Sequence, residues 1–340
     1  MNSLQINKLF KCLIHISENS NSKKRLLSST SSLSLQPNLN LNSSLLCQPI
    51  FKRNLFQIAI DGPAASGKST TARLVARKLN FEYIDSGAMY RTITLAALRE
   101  NLNPTSLVDI HKIINIARTS KIQLITTNNG TPPSAHTSPP QPLVPKTRVI
   151  FNEEDITEEI MLPEITRNIM GIASNPGVRE AIVSRQRAMA ECNGYNGYNG
   201  SNINYDKEEK EKNSNSKRKQ GVVMDGRDIG TVILPNANLK FFIIADPKIR
   251  AERRLKELKR IKEMENLEMS EVLADLLKRD KSDIERKISP LKMADDAILL
   301  DTSGLSIEEQ VERIIKLALE KMRKSDNMRS DNSDKHLEKL

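Results

Sequence analysis

The sequence predicts an α/β fold, a parallel sheet with helices on both faces, on two observations. First, short apolar runs bounded by turn residues alternate along the chain with segments of helical period. Second, the first of these runs, Leu55 to Ile60, leads straight into Gly62-Pro63-Ala64-Ala65-Ser66-Gly67-Lys68-Ser69, a match to the G-x-x-x-x-G-K-[ST] phosphate loop. In sheets of this kind ligands gather beyond the carboxyl ends of the strands. Asp61, Asp85 and the Asp225–Asp228 segment all fall at such ends, so they converge on one crevice beside the loop.

The loop comes first. Its turn must aim successive backbone N–H groups at phosphate oxygens, so residues without a Cβ are needed at Gly62 and Gly67. Lys68 supplies a point charge for the β- and γ-phosphates, and the Ser69 hydroxyl is a ligand for Mg²⁺. A helix follows, with its positive end toward the anion. Ala72, Val75, Ala76 and Leu79 give it one apolar face.

Phe81 to Arg91 reads as a short strand, a turn at Ser86-Gly87 and a helix starting near Ala88. Residues 106–118 form a helix with Ile110, Ile113, Ile114 and Ala117 on one face. Ile122 to Ile125 is a strand, joined by a Pro/Thr/Ser-rich polar loop (127–146) to the next strand, Arg148 to Phe151. Residues 162–192 are helical, interrupted near Asn175-Pro176-Gly177. Residues 193–220 form a second low-complexity insertion.

Val222-Val223-Met224 is a strand ending in Asp225-Gly226-Arg227-Asp228-Ile229-Gly230, and Lys240 to Ala245 is another. Asp246-Pro247 starts a strongly basic helix, with Asp as the cap and Pro in the first turn. That helix carries Lys248, Arg250, Arg253, Arg254, Lys256, Lys259 and Arg260. A further helix reaches Arg279 to Arg286. Ala297 to Leu300 is the last strand. Ser306 and Glu309 form a capping box for the final helix, whose core face is Val311, Ile314, Ile315 and Ala318. Residues 325–340 read as a charged tail.

Composition narrows the partners. The chain of 340 residues carries a net charge of +10, but residues 1–54 hold seven Lys/Arg and one acid, or +6, which leaves +4 for the remainder. There is no Trp and aromatics are 4%, so neither a base-stacking platform nor a nucleic-acid partner is expected. No apolar run approaches the roughly 20 residues of a membrane span, so no membrane partner is expected. Cys12, Cys47 and Cys192 are far apart, and His15, His111, His136 and His336 are scattered. Neither a disulfide framework nor a zinc site is predicted. The basic, acid-poor, Ser/Asn-rich leader fits a mitochondrial transit peptide, with an untargeted leader on a cytoplasmic protein as the alternative.

Phosphoryl chemistry between polyanions needs groups that stay charged and hold two phosphate oxygens at once, which is what arginine offers. Arg91, Arg227 and Arg279, with part of the 250–260 cluster, are the candidates. On a helix Arg279, Asp283 and Arg286 share one face as an ion-paired row, and an ordinary surface ladder has the same spacing.

Four segments in order then resemble the bacterial-type cytidylate kinase family: Asp61 to Ser69, Asp85-Ser86-Gly87-Ala88-Met89-Tyr90-Arg91, Asp225 to Gly230, and Arg279-Asp280-Lys281-Ser282-Asp283-Ile284-Glu285-Arg286. The likeness covers residues 56–324 apart from the two insertions. It implies a P-loop kinase three-layer fold with an inserted monophosphate-binding domain containing a small sheet (about 92–192), a helical lid (about 248–285), and monomeric state. It also implies transfer of the γ-phosphate of ATP to CMP or dCMP with Mg²⁺.

By the same resemblance Gly62, Pro63, Ala64, Ala65, Ser66, Gly67, Lys68, Ser69 and Thr70 hold the ATP phosphates, with Ser69 on the metal. Arg91 and Arg227 hold the acceptor phosphate. Arg279 and Asp283 meet the ribose, and Ser86, Arg179 and Arg286 meet the base. Asp228 supports the base and Arg227, and Arg250 and Arg254 belong to the lid. One position departs: the family has a base-contacting serine nine residues before Arg179, where this chain has Met170.

Three other readings are weighed. A GTPase switch rests on Asp301-Thr302-Ser303-Gly304, but no N-K-x-D motif is present. An adenylate-kinase-type UMP/CMP kinase or a shikimate kinase lacks the Gly-Arg-Asp and R-x-x-x-D-x-x-R segments. A basic nucleic-acid-binding protein rests on charge alone.

Overall fold

Residues 55–127, 144–191, 220–259 and 267–337 are described by a computed structural model. The expectations for the leader, for most of the two low-complexity insertions, for Arg260 and for the three cysteines lie outside these residues. Side-chain alternation explains the central sheet. Along β1 (Phe56–Asp61), Ile58 and Ile60 face one layer and Ala59 the other. The strand is buried on both faces, as a parallel sheet requires. It pairs in parallel with β6 (Gly221–Gly226) on one side and β7 (Leu239–Ile244) on the other. With β2 (Glu82–Asp85) and β8 (Ile298–Asp301) the order is β2-β6-β1-β7-β8.

The layer under Ile58 and Ile60 is made by α1 (Lys68–Leu79) and α8 (Ile307–Leu337), through Leu74, Val75, Val311, Ile314 and Ala318. The opposite layer is larger. It joins Ala59, Val222 and Met224 to α2 (Ser86–Arg99), α3 (Leu107–Thr119), α4 (Pro163–Ala173) and α5 (Pro176–Glu191). The same core holds Ile122, Leu124 and Val149 of an antiparallel sheet, β3 (Ile122–Thr127), β4 (Lys146–Phe151) and β5 (Glu154–Asp155). A third cluster seats α6 (Pro247–Leu258) and α7 (Met269–Glu285) against the phosphate loop, through Ala251, Val272, Leu276 and Ala64.

Three expectations change. The strands flanking the polar loop are longer than predicted, because Thr126 and Thr127 continue the ladder to Thr147 and Lys146. There is no turn at Ser86-Gly87: the Asp85 carboxylate accepts the Ala88 N–H at 2.9 Å, so the helix starts at Ser86. The backbone of α8 continues to Leu337, through most of the predicted tail. No proline or glycine follows Gly304 to stop it. The capping box at its start is as predicted, with Glu309 N–H donating to Ser306 Oγ and Ser306 N–H to Glu309 Oε2.

Candidate active site

The phosphate loop is fixed by sterics and braced from behind. Gly62 has φ +152°, and a Cβ there would lie 2.1 Å from the Ile243 carbonyl oxygen. Only glycine lets the loop pass over β7. The Ser66 carbonyl accepts from Thr302 Oγ1 at 3.1 Å, and Arg253 donates to the Thr302 carbonyl at 2.9 Å. Thr302 is fully buried. Asp301-Thr302-Ser303-Gly304 therefore supports the loop from outside, which accounts for the segment without a nucleotide switch.

Lys68 is buried, with Nζ donating to the Pro63 carbonyl at 3.0 Å. Burial, and then the Arg227 charge, lowers its pKa to about 7. Ser69 Oγ donates to Asp225 Oδ2 at 2.6 Å, and Tyr83 OH to Asp225 Oδ1 at 2.7 Å. Asp61 accepts the Ile229 and Gly230 N–H groups at 2.8 and 2.7 Å, tying the strand-end segment to β1. Burial raises its carboxyl to about 7 despite those bonds. Asp225 and Asp61 escape the predicted list of site residues. Their position at adjoining strand ends is a usable signal, but nothing in the sequence marks Tyr83 or Thr302 as their supports.

Beyond the loop the charges change character. Ser86 Oγ donates to the Asp225 carbonyl at 2.6 Å, and Gly226 passes so close that a Cβ would sit 2.4 Å from that hydroxyl oxygen. Arg227 Nε donates to Asp283 Oδ2 at 2.8 Å. Burial opposes the Asp283 charge, but Arg227 and Arg279 outweigh it and hold the carboxyl below its usual range. Arg179 pairs with Asp228 in the interior and also donates to the Ala173 carbonyl. Arg286 stands 3.6 Å from Asp228 and 3.9 Å from Asp283.

Two assignments need correction. Asp228 pairs with Arg179 and Arg286 and meets Arg227 through its charge alone, whereas the carboxylate hydrogen-bonded to Arg227 is Asp283. The Arg279–Asp283–Arg286 row is no exposed surface ladder, because Asp283 is only 4% exposed and both arginines are half-buried. Arg286 stands past the end of α7 in extended backbone and not on its face.

Arg91, Arg227 and Arg279 lie close enough to repel one another. Burial, then Arg227 and Arg91, pushes Arg279 down to about 10. Burial also lowers Arg91, with Arg254 and Arg227 adding to the effect. Arg91 Nη1 meets the Met161 thioether at 3.2 Å, and Arg279 Nε has no hydrogen-bond partner among the described residues. The predicted lid arginines separate here. Arg254 belongs with this cluster. Arg250 does not: it is 1% exposed and donates to the Ala245 and Ala64 carbonyls and to Asp280, so it is part of the frame.

Among the described residues no group of three or more His, Cys, Asp or Glu could hold a metal. Ser69 Oγ and the Asp225 carboxylate are hard oxygen donors at one point, which suits an ion that takes its other ligands from water and phosphate. No helix among the described residues is long and apolar enough to cross a membrane.

A family profile described as "Cytidylate kinase" matches residues 58–204 and 200–320. The chain is 41% identical over 258 residues to a "Cytidylate kinase" of Desulforamulus reducens, which covers 76% of this chain and 94% of that one. It is 39% identical over 266 residues to a "Cytidylate kinase" of Bacillus subtilis, covering 78% and 97%. These relatives are bacterial and so come from cells without mitochondria. The mitochondrial reading of residues 1–54 is withdrawn.

Proposed function

The chain belongs to the cytidylate kinase family, and from that premise we propose how the residues above divide the work of transferring the γ-phosphate of ATP to CMP or dCMP, which yields ADP and CDP or dCDP. The backbone of Gly62 to Thr70 cradles the ATP phosphates, and Lys68 spans the β- and γ-phosphates. Ser69 and Asp225 would hold Mg²⁺, which would supply charge neutralisation on the transferred phosphoryl group. Arg91 and Arg227 receive the acceptor phosphate. Arg279, which the resemblance puts on the ribose, is placed on that phosphate instead because it stands within reach of both their charges. Asp283 orders Arg227 and meets the ribose. Ser86, Arg179, Arg286 and Asp228 face the base. The α2–α5 layer with its small sheet is the monophosphate-binding insert, and the α6–α7 arm brings Arg254 and Arg279 to the transferred group.

The observation that carries this reading is a cluster of buried positive charge. Burial and neighbouring arginines lower the pKa of Lys68, Arg91 and Arg279, while Arg227, which adds to the lowering of all three, is itself held up by Asp283, Asp280 and Asp225. Such a cluster is costly in the empty protein and favourable when two sets of phosphates neutralise it. An acceptor phosphate is already an anionic nucleophile, so no side chain needs to remove a proton from it. Alignment and charge neutralisation supply the rate.

The test uses the full chain with ATP, Mg²⁺ and, separately, CMP, dCMP, UMP, AMP and shikimate. CMP and dCMP are expected to be the best acceptors by kcat/KM. A preference for any of the others overturns the assignment.

A further inference from the structure

Buried around Asp228 are polar atoms for which the described residues offer no hydrogen-bond partner: the Tyr90 hydroxyl, Arg179 Nε and Arg286 Nη2. Tyr90 stands beside Arg91 in the chain but serves a different place. Successive side chains on a helix are turned by about 100°, so Arg91 reaches Met161 while Tyr90 turns into the Asp228 cage. The Arg179 guanidinium lies over the Tyr90 ring, 5.5 Å from its centre. Tyr90 is 7% exposed, and burial raises its pKa to about 12, so the hydroxyl keeps its proton and can donate or accept.

A buried hydroxyl without a partner opposes folding, and phenylalanine would fill the same space without that cost. A tyrosine here is accounted for by a ligand. We propose that Tyr90 is a recognition residue for the acceptor nucleotide: its ring holds Arg179 in place by cation–π contact, and its hydroxyl hydrogen-bonds the polar edge of the pyrimidine. This rests on the kinase assignment above. The base completes a cage in which Arg179 and Arg286 both pair with Asp228.

The experiment is Tyr90→Phe in the full chain, read by melting temperature and by separate kinetics for CMP, UMP and ATP. The expected result has opposite signs. Stability is unchanged or raised, because an unsatisfied group is gone. KM for CMP rises roughly tenfold, the size of one lost hydrogen bond, with KM for ATP unchanged and the CMP:UMP ratio altered. Tyr90→Leu, which also removes the ring, raises KM for CMP further. A purely structural tyrosine gives another pattern: a lower melting temperature with KM for CMP and the CMP:UMP ratio at wild-type values, and that overturns the proposal. If the wild-type protein does not phosphorylate CMP, the kinase assignment and this inference both fall. If it does and Tyr90→Phe behaves like it, this inference falls alone.

Discussion

Two arginine–aspartate pairs leave α7 one helical turn apart and have different purposes. Asp280 pairs with Arg250 at 2.6 Å, with both side chains at 3% exposure or less. Arg250 also binds the carbonyls of Ala245 and Ala64, so β7, the phosphate loop and α7 are joined at one guanidinium. Asp283 pairs with Arg227 at 2.8 Å, and Arg227 is 16% exposed. Arg227 also faces Lys68 and Arg279, which it destabilises as charges. The chemistry of the two pairs is the same. Arg227 also gives a donor to the carbonyl of its neighbour Gly226, so what separates the pairs is burial and company: sealed Arg250 is framework, whereas Arg227 is part-exposed, faces other cations and is placed for an anion.

The largest effect should come from the open pair. Arg227→Ala is expected to lower kcat/KM for CMP by about 10²–10³ or more, the scale of losing one preorganised donor to developing charge. Its melting temperature should fall less than that of the sealed-pair variant, since Arg279 and Arg286 remain near Asp283. Steady-state kinetics and calorimetry on one preparation check both halves. Wild-type kinetics would erase the distinction between the pairs.

Arg250→Ala reverses the balance. It leaves Asp280 buried and unpaired, at a cost of about 3–5 kcal/mol, and strips a donor from the Ala64 carbonyl. For a domain of this size the midpoint should fall by roughly 10 °C. Replacing both partners, Arg250→Met with Asp280→Leu, should recover most of the loss, because an apolar pair leaves no charge stranded. If the double variant is no more stable than Arg250→Ala, the pair is more than a framework contact.

The contrast also shows how far the chain could be read. The caps of α6 and α8 follow from local rules, because Asp246 and Ser306 act through neighbours a few residues away. The phosphate loop is legible from its motif, although the contact that demands Gly62 is with distant Ile243. The convergence of Asp61, Asp85 and Asp225 follows from strand ends alone. Which arginine meets which aspartate does not. Arg250 and Arg254 share a basic helix and look alike in sequence, yet one is sealed by α7 and the loop and the other is not. That depends on the α6–α7 packing at Ala251, Val272 and Leu276. Tyr83 and Thr302 were illegible for the same reason: their partners Asp225 and Ser66 are distant in sequence.

Lys68 gives a smaller, pH-dependent test of the open region. Its folded pKa of about 7 lies below the unfolded value of 10.5. The folded protein therefore binds fewer protons between these values, and this lysine's contribution to stability is present above 10.5 and lost as pH falls through about 7. Bound phosphate favours the ammonium. At pH 8, binding of ATP should then take up as much as about one proton, seen as a calorimetric enthalpy that varies with buffer ionisation enthalpy. Affinity should weaken as pH rises above 7. Lys68→Arg, always charged, should lose the uptake. An unchanged uptake in that variant would assign the proton to another group.

The smallest effect concerns the base end of the open region. Met170 on α4 is half-buried against the larger core, and its thioether is a weak acceptor where the family's serine offers a hydroxyl. Its carbonyl accepts the Ser174 hydroxyl at 2.7 Å. Ser174 caps the same helix one turn further on, and its oxygen keeps lone pairs free to accept from an exocyclic amine. Met170→Ser should raise the CMP:UMP ratio of kcat/KM about fivefold, the worth of one neutral hydrogen bond, for a stability loss of about 1 kcal/mol from the removed apolar contact. Ser174→Ala separates two ways this chain can manage without the family serine. If Ser174 has taken over the contact, its loss lowers the CMP:UMP ratio and Met170→Ser restores it. If it has not, Ser174→Ala leaves the ratio unchanged, and discrimination rests on Arg179, Arg286 and the Tyr90 cage.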